Sequence, residues 1–255
     1  MNHSRTIESV SLQINSSRLL AQLPYDLNPN LPFIFGETNS LYHQGKPGLS
    51  NSFGAALWGV EFNLYCAAHN IRRVHMHQGT NYRYQSWQPI ETGKTSIGTK
   101  APYYGNIAVA SFMGDLTVNS PSIVNIPLPR EEESAYAAYV DGKLDRLVVI
   151  NMMEYNATIG NKYINDYPRP VERYGFQLPK EWYGKTADLQ WLIANGSDAI
   201  TGISFDGYSY NYELDKGMPV LLQNATRCRT LQVSSNGKVD IDLPKSGAAI
   251  VRVRR

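Results

Sequence analysis

One glutamate follows a short apolar run early in the chain, at a position where carboxylates often do chemistry. Phe33-Ile34-Phe35 is wholly apolar and is typical of a buried parallel strand, and Gly36 and Glu37 come directly after it. A carboxylate at the C-terminal end of such a strand lies where barrel enzymes keep their catalytic groups. The alternative is a carboxylate that caps the next loop or pairs with a surface lysine, and the residues alone favour that alternative.

Two histidines on the next apolar segment supply a second set of candidate groups. Residues 71–77 predict a short strand, and His75 and His77 share one face of it because side chains alternate along a strand. If that face points inward, His77 opens at the same edge as Glu37, whereas we expect His75 to be a hydrogen-bonded core histidine. No third ligand stands at a metal-binding spacing, so the sequence argues against a metal site.

Aromatic side chains crowd the segment that follows these histidines. Tyr82, Tyr84 and Trp87 can line a sugar-binding cleft, because flat rings meet the apolar C–H faces of sugars, or they can simply close the end of a barrel. The whole chain carries 17 tyrosines and 4 tryptophans. Packing in β-sheets accounts for most of them, so aromatic content alone does not establish a sugar site.

Helices, strands and loops alternate around these groups. Residues 5–21 carry apolar side chains at helical spacing, and prolines and asparagines at 24–32 then break the chain. Residues 38–52 form a loop of about 15 residues, long enough to suggest a function. A helix follows, with Ser52 as its candidate N-cap and Asn70 at its end. This order of elements is typical of a β/α barrel.

The pattern changes after the first third of the chain. Short alternating runs follow, separated by turn residues, and Asp141-Gly142 between the runs at 134–140 and 144–152 predicts a hairpin. No convincing amphipathic helix is evident after residue 120. We therefore predict a β-rich α/β protein, with the last part of a (β/α)8 barrel in residues 1–90 and an all-β C-terminal sandwich domain in residues 91–255.

Charge and hydropathy exclude several functional classes. The 24 basic and 22 acidic residues leave a net charge of only +2, which argues against binding to nucleic acid or to an anionic membrane surface. No apolar run of about 18 residues is present, so the sequence predicts no membrane span.

Secretion is expected from the glycosylation motifs, although the first residues lack the apolar core of a signal peptide. We therefore expect that signal upstream of this chain. Five Asn-x-Ser/Thr sequons occur, at Asn2, Asn15, Asn156, Asn195 and Asn224.

Two cysteines, Cys66 and Cys228, could form a disulfide. Because Cys66 lies on the apolar face of the predicted helix, we expect it to be a sheltered thiol instead.

Four segments in the first part of the chain carry a family resemblance, and a fifth, further along the chain, extends it. They are Phe-Gly-Glu-Thr-Asn-Ser at 35–40, Gly-Leu-Ser-Asn-Ser-Phe-Gly-Ala-Ala-Leu-Trp at 48–58, and Arg-Val-His-Met-His-Gln-Gly at 73–79 with Trp-Gln-Pro at 87–89. In this order and spacing they resemble the family 79 glycoside hydrolases, which are relatives of heparanase and include fungal β-glucuronidases. The segment at 134–151 is similar to the C-terminal β domain of that family.

The resemblance implies a function and a set of site residues. It implies a retaining, exo-acting enzyme that removes β-linked glucuronic acid without a cofactor, with a (β/α)8 barrel followed by a β-sandwich. Glu37 matches the nucleophile at the end of strand 7, His77 a histidine at the end of strand 8, and Tyr84 a tyrosine that lines the sugar site. Tyr42 and Gly45 lie on the loop that meets the uronate carboxylate, partly through backbone N–H groups.

Two departures from the family pattern bear on activity. Gln44 stands where a smaller residue is expected, which makes the carboxylate contact less secure than the nucleophile. The acid/base glutamate of the family follows an asparagine at the end of strand 4, and this chain contains no Asn-Glu dipeptide. A barrel needs about 250 residues, so we expect strands 1 to 6 upstream and a chain that is a fragment, a truncated gene product or a decayed copy.

Two functional hypotheses therefore remain open. The first is the C-terminal part of an exo-β-glucuronidase acting on a carbohydrate substrate, without the acid/base half and inactive by itself. The second is a non-catalytic secreted β-domain protein, or a carbohydrate-binding remnant of such an enzyme. Heparanase-like endo-activity is a further option, although the near-neutral charge gives no sign of a groove for a long polyanion.

Overall fold

The computed structural model describes residues 1–24, 31–159, 162–163 and 168–253. Of the predicted break at 24–32, residues 25–30 lie outside the described residues. A short 3-10 turn occupies Lys180–Trp182. The helices are α1 (His3–Ala21), α2 (Phe53–Ala68), α3 (Ala101–Met113) and the single turn α4 (Tyr212–Asp215).

The strands are short in the first part of the chain and longer in the second. In the first part they are β1 (Ile34–Thr38), β2 (Arg73–Met76), β3 (Trp87–Gln88) and β4 (Gly98–Thr99). The second part contains β5 (Ser122–Ile126), β6 (Glu133–Val140), β7 (Lys143–Asn151), β8 (Thr158–Ile159), β9 (Lys162–Tyr163), β10 (Val171–Gln177), β11 (Thr186–Ile193), β12 (Ser204–Phe205), β13 (Tyr208–Ser209), β14 (Val220–Leu221), β15 (Arg229–Gln232), β16 (Lys238–Pro244) and β17 (Gly247–Val253).

A parallel pair of strands forms the first sheet. β1 pairs with β2, with Ile34 opposite Arg73 and Thr38 opposite Met76, and α2 connects the two strands. This is the strand–helix–strand unit that the sequence predicts, and parallel strands need such a crossover. α1, which the apolar spacing of residues 5–21 predicts, packs against α2.

A nine-stranded antiparallel sheet dominates the rest of the molecule. Its order is β14-β13-β12-β11-β17-β7-β6-β5, and β15 pairs with the first half of β11. β10 and β16 form a separate antiparallel pair. The β-rich class therefore agrees with the prediction from the sequence.

Both faces of the central strands β6, β7 and β17 of this sheet are largely buried. One face packs against the helices, and Tyr136, Val148 and Ile250 belong to the core on that side. The opposite face packs against the β10–β16 pair, where Val149 and Val251 meet residues such as Ile241. Residues that alternate along β6, β7 and β17 thus supply two cores, which explains the uncharged runs Ala135–Ala138 and Leu147–Ile150.

The predicted hairpin at Asp141-Gly142 is confirmed. β6 and β7 pair from Val140 opposite Lys143 to Glu133 opposite Asn151. Both turn residues have positive φ, 51° for Asp141 and 74° for Gly142. A two-residue turn of this kind matches the twist of the flanking strands, and aspartate and glycine tolerate it well.

Helix α3 was not predicted from the sequence. Its buried residues Ala101, Tyr104, Ala108 and Phe112 do follow helical spacing, but glycine, proline and tyrosines in the segment mask the pattern. Gly105 has a steric reason to lack a side chain, because a Cβ there would lie 2.5 Å from the Ala56 carbonyl oxygen of α2. The close approach of two helices, rather than local propensity, stabilises this helix.

One carboxylate lies fully buried inside α2. Glu61 has no exposed surface and accepts a hydrogen bond from the Tyr136 hydroxyl of β6 at 2.9 Å. The imidazole Nδ1 of His3 makes a second, short hydrogen bond to the same carboxylate. A buried charge is costly unless it is paired and hydrogen-bonded, so these contacts tie α1, α2 and β6 together.

The two cysteines are free. Cys66 is buried in α2, as predicted, and Cys228 is exposed. Burial, with a smaller contribution from Glu61, raises the pKa of the Cys66 thiol to about 12. Among the described residues, no helix is long and apolar enough to cross a membrane.

The His3–Glu61 contact predicts a pH-dependent stability. The hydrogen bond to Glu61 raises the pKa of His3 above its ordinary value of 6.5, although burial opposes the shift. Since the folded pKa is the higher one, this contribution to the free energy of unfolding is complete below about pH 6.5 and is lost as the pH rises through the raised folded pKa. In His3→Gln, we expect the free energy of unfolding measured in urea to lack the decrease that the original chain shows as the pH rises through the raised pKa of His3.

A matched control for that experiment is His75→Gln, which changes an exposed histidine of β2. The control should keep the pH dependence of the original chain. The same pH dependence in His3→Gln and in the original chain would contradict the assignment.

Candidate active site

Glu37 and His77 lie at the same edge of the parallel strand pair. Glu37 is the penultimate residue of β1, and His77 follows the last residue of β2. The His77 backbone N–H donates a hydrogen bond to the Thr38 carbonyl oxygen at 2.9 Å. Because parallel strands bring their C-terminal ends together, the two side-chain positions that the sequence selects are neighbours in the structure.

Tyr84 joins this edge through its hydroxyl. The Tyr84 hydroxyl and the His77 Nδ1 lie 3.2 Å apart, and the Tyr84 side chain is buried. Burial raises the pKa of Tyr84, and electrostatic interactions with Tyr82 and Glu37 raise it further. Tyr84 therefore stays protonated at neutral pH and can donate a hydrogen bond next to the Glu37 carboxylate.

The rings of His77, Tyr82 and Tyr84 contact one another and form an aromatic wall. Tyr82 stacks on His77 with ring centroids 5.2 Å apart and an interplanar angle of 27°. Tyr84 meets both rings nearly edge-on, at 6.0 Å from His77 and 5.6 Å from Tyr82. These contacts hold the imidazole at one orientation and leave a mixed polar and aromatic surface beside Glu37.

The loop after β1 reaches this wall at Gly45. Its φ is +76°, and a Cβ there would lie 2.8 Å from Ser50 and 3.1 Å from the Tyr84 ring. Glycine is needed at this point because both the backbone conformation and the space exclude a side chain. The Gly45 N–H donates to the Tyr42 carbonyl oxygen at 3.2 Å, so this N–H is already used within the loop.

Tyr42 is not brought into the group. Its side chain is 77% exposed, and its ring packs against His43 with centroids 4.5 Å apart. Gln44 contacts the aromatic loop instead: its carbonyl oxygen accepts the Arg83 N–H at 2.7 Å, and its side-chain oxygen lies 3.5 Å from the Arg83 guanidinium. The sequence analysis did not select Arg83.

Buried amides fix the loop that carries the aromatic residues. Gln88 is fully buried, and its side-chain oxygen accepts hydrogen bonds from Gln85 Nε2 at 2.7 Å and from the Asn81 backbone N–H at 3.0 Å. Its amide nitrogen donates to the Ile90 carbonyl oxygen at 2.9 Å. A buried polar network of this kind gives the loop one conformation, which positions Tyr82 and Tyr84.

Glu37 is exposed and lines an open cavity of about 870 Å³. The cavity lies between the end of β1 and helix α1, and Trp58 of α2 forms part of its wall. The other carboxylate in its lining is Glu8, which pairs with Arg5 at 2.9 Å. The cavity lining includes Glu37 and Trp58 but not His77, Tyr82 or Tyr84, and the sequence analysis did not identify Trp58 as a lining residue.

His75 corrects one expectation. We expected a hydrogen-bonded core histidine, but the His75 side chain is exposed, as is Arg73 on the same face of β2. Val74 and Met76 point the other way and pack against the helical core. The period of the strand was predicted correctly, but the sequence did not show which face is covered in this structure.

A metal site has no support in the structure. Among residues 1–24, 31–159, 162–163 and 168–253, no group of three or more histidine, cysteine, aspartate or glutamate side chains could hold a metal ion.

Two fungal β-glucuronidases are similar to this chain over nearly all of its length. The chain is 54% identical to a β-glucuronidase of Aspergillus niger over 98% of its own length and 46% of that protein. It is 47% identical to a β-glucuronidase of Neurospora crassa over 98% of its own length and 48% of that protein. The chain thus spans about half the length of the curated relatives that it matches.

Solved structures show the same fold at lower identity. A 4-O-α-L-rhamnosyl-β-D-glucuronidase from Fusarium oxysporum, in complex with Rha-GlcA, superposes with a TM-score of 0.69 at 22% identity over 94% of this chain and 49% of that chain. An α-L-arabinofuranosidase from Thermotoga maritima superposes with a TM-score of 0.58 at 9% identity, over 98% and 48% of the two chains. These likenesses concern the fold alone.

The family assignment comes from a direct match. Residues 135–250 match the glycosyl hydrolase family 79 C-terminal beta domain. This segment runs from β6 to β17, and so includes most of the nine-stranded sheet. Together with the two fungal relatives, which match nearly the whole chain, it confirms the resemblance found in the sequence. The chain belongs to glycosyl hydrolase family 79.

Proposed function

We propose that this chain supplies the nucleophile side of the active site of a retaining β-glucuronidase. The observation that carries the proposal is the parallel pairing of β1 with β2, which brings Glu37 and His77 to one edge of the pair, where the Tyr84 hydroxyl contacts His77. The names of the two fungal relatives support the substrate class.

The proposed chemistry follows from a pair of carboxyl groups. The Glu37 carboxylate attacks the anomeric carbon and forms a glycosyl ester, while a second carboxylic acid about 5 Å away protonates the departing glycosidic oxygen. Water then attacks the same carbon, the second group takes up its proton, and the ester bond to Glu37 breaks. Glucuronic acid and a regenerated enzyme are the products.

Neighbouring side chains would bind and orient the sugar. Tyr84 can donate a hydrogen bond from its hydroxyl to a sugar oxygen. The rings of Tyr82 and His77 can contact the C–H groups of the sugar. Arg83 brings a positive charge to the Gln44 loop, which suits an anionic uronate. This guanidinium offers a route to the carboxylate that does not depend on the occupied Gly45 N–H.

The proposal includes a barrel to which β1 and β2 belong. Their parallel register supports this, as does the exposure of Ile34 (43%), Arg73 and His75 on the face turned away from α2. We assign residues 1–90 to the partial barrel and 91–255 to the C-terminal β domain. The acid/base carboxyl group is proposed to lie on another strand of that barrel, in the half of the relatives that this chain does not match.

The assignment of Glu37 predicts the effect of one substitution. In a full-length protein containing this chain, Glu37→Gln should lower kcat for an aryl β-glucuronide by several orders of magnitude, because an amide of nearly the same size cannot form the glycosyl ester efficiently. The melting temperature should hardly change, since the amide has nearly the same size and shape as the carboxylate.

Glu91→Gln is the matched control. Glu91 is exposed and accepts a hydrogen bond from the Ile97 N–H, which the glutamine oxygen can also accept. This variant should keep its turnover. Near-normal turnover by Glu37→Gln would contradict the assignment of the nucleophile.

A second prediction concerns residues 1–255 expressed alone. We expect no release of aryl alcohol from a β-glucuronide above the buffer rate at acidic to neutral pH, because retaining hydrolysis needs two carboxyl groups in fixed positions. The assay compares this chain with its Glu37→Gln variant. Release that disappears in the variant would show that the chain already contains the second acid.

A further inference from the structure

Asn39 links the three residues of the candidate site without belonging to it. It follows β1 two residues after Glu37, and its side chain is half-buried. Its amide nitrogen donates to the His77 carbonyl oxygen at 2.9 Å and reaches the Tyr84 carbonyl oxygen at 3.5 Å. The first contact is a good hydrogen bond, and the second is at the limit of one.

The other end of the same amide fixes the start of the loop. The Asn39 side-chain oxygen accepts the Ser40 backbone N–H at 2.8 Å. Asn39 therefore bridges the end of β1, the end of β2 and the aromatic loop, which are far apart in sequence. The side chain at this position must donate to two carbonyl oxygens and accept from one N–H. A side-chain amide can do both.

We propose that Asn39 is a positioning residue that sets the Glu37 carboxylate relative to His77 and Tyr84. The inference rests on the proposed function, because it assigns a role in the same reaction. The pairing of β1 with β2 shifts register between Phe35 and Thr38. The backbone hydrogen bonds alone therefore do not fix the chain around Glu37. The ladder resumes at Thr38, whose carbonyl oxygen accepts the His77 N–H, and the Asn39 amide adds a side-chain link directly after it.

Small displacements at such a site have large effects on rate. A shift of about 1 Å in a reacting group can lower a rate by about a hundredfold. Loss of the Asn39 link should therefore appear in kcat, since Tyr82 and Tyr84 remain held by the Gln88 network and by each other and can still bind the sugar. KM should change much less than kcat.

The test is Asn39→Asp in the full-length protein, assayed with 4-nitrophenyl β-D-glucuronide across acidic to neutral pH. At neutral pH the new carboxylate cannot donate and repels the two carbonyl oxygens, so we expect kcat to fall by about ten- to a hundredfold. At acidic pH the protonated carboxyl group can donate again, so the ratio of variant to original kcat should recover. In Asn39→Ala, kcat should be lowered at both acidic and neutral pH. This variant also tests the same link if Asn39→Asp does not fold.

Asn51→Asp is the matched control, because it adds the same charge to the same loop but keeps its acceptor contact with the Gly48 N–H at 2.7 Å. This control should keep the original kcat and pH profile. An unchanged kcat in both Asn39 variants, or a loss in Asn39→Asp that is equal at acidic and neutral pH, overturns the positioning role. Failure of the proposed function itself is distinguishable, because the unaltered full-length protein would then be inactive towards the glucuronide.

Discussion

A carboxylate buried in the middle of an apolar helix determines how the layers of this molecule meet. Glu61 has no exposed surface, so its oxygens must find donors inside the protein. Tyr136 donates from the large sheet, and His3 approaches from α1. Any rotation of α2 that left Glu61 without these partners would carry a large free-energy cost. The hydrogen bonds therefore fix which face of α2 meets the sheet and which face is left for the parallel strands.

The start of α2 connects the β domain to the loop that leads back to Glu37. Ser52 occupies the predicted N-cap position, but its hydroxyl donates to Leu49 instead of accepting from the helix. The first helical N–H groups donate to carbonyl oxygens of the β domain, Phe53 to Ala199 at 2.7 Å and Gly54 to Ser197 at 2.8 Å. The β domain thus anchors the end of the loop that begins beside Glu37, which gives it a role in site geometry without a catalytic side chain.

Sequence patterns predicted the elements whose signal is local. Alternation, helical spacing and the Asp141-Gly142 turn identified α2, β2 and the central hairpin, and the strand position of Glu37 placed it next to His77. Long-range effects were not predictable in this way. Helix α3 depends on close contact with α2, the burial of Glu61 depends on partners far away in the chain, and the contacts of Asn39 join two loops. Local patterns in a single sequence do not show which distant residues will be in contact.

The central claim is that Glu37 forms the covalent bond to the sugar, and a trapping experiment tests it most directly. In a 2-deoxy-2-fluoro-β-glucuronyl fluoride, fluorine at C2 slows both steps of retaining hydrolysis, while the fluoride leaving group restores the first step, so the glycosyl ester accumulates. Peptide mass spectrometry of the full-length protein after this treatment should find the fluoro sugar on Glu37, at one sugar per chain. A label on a different carboxylate, or inactivation without any label on Glu37, would contradict the claim.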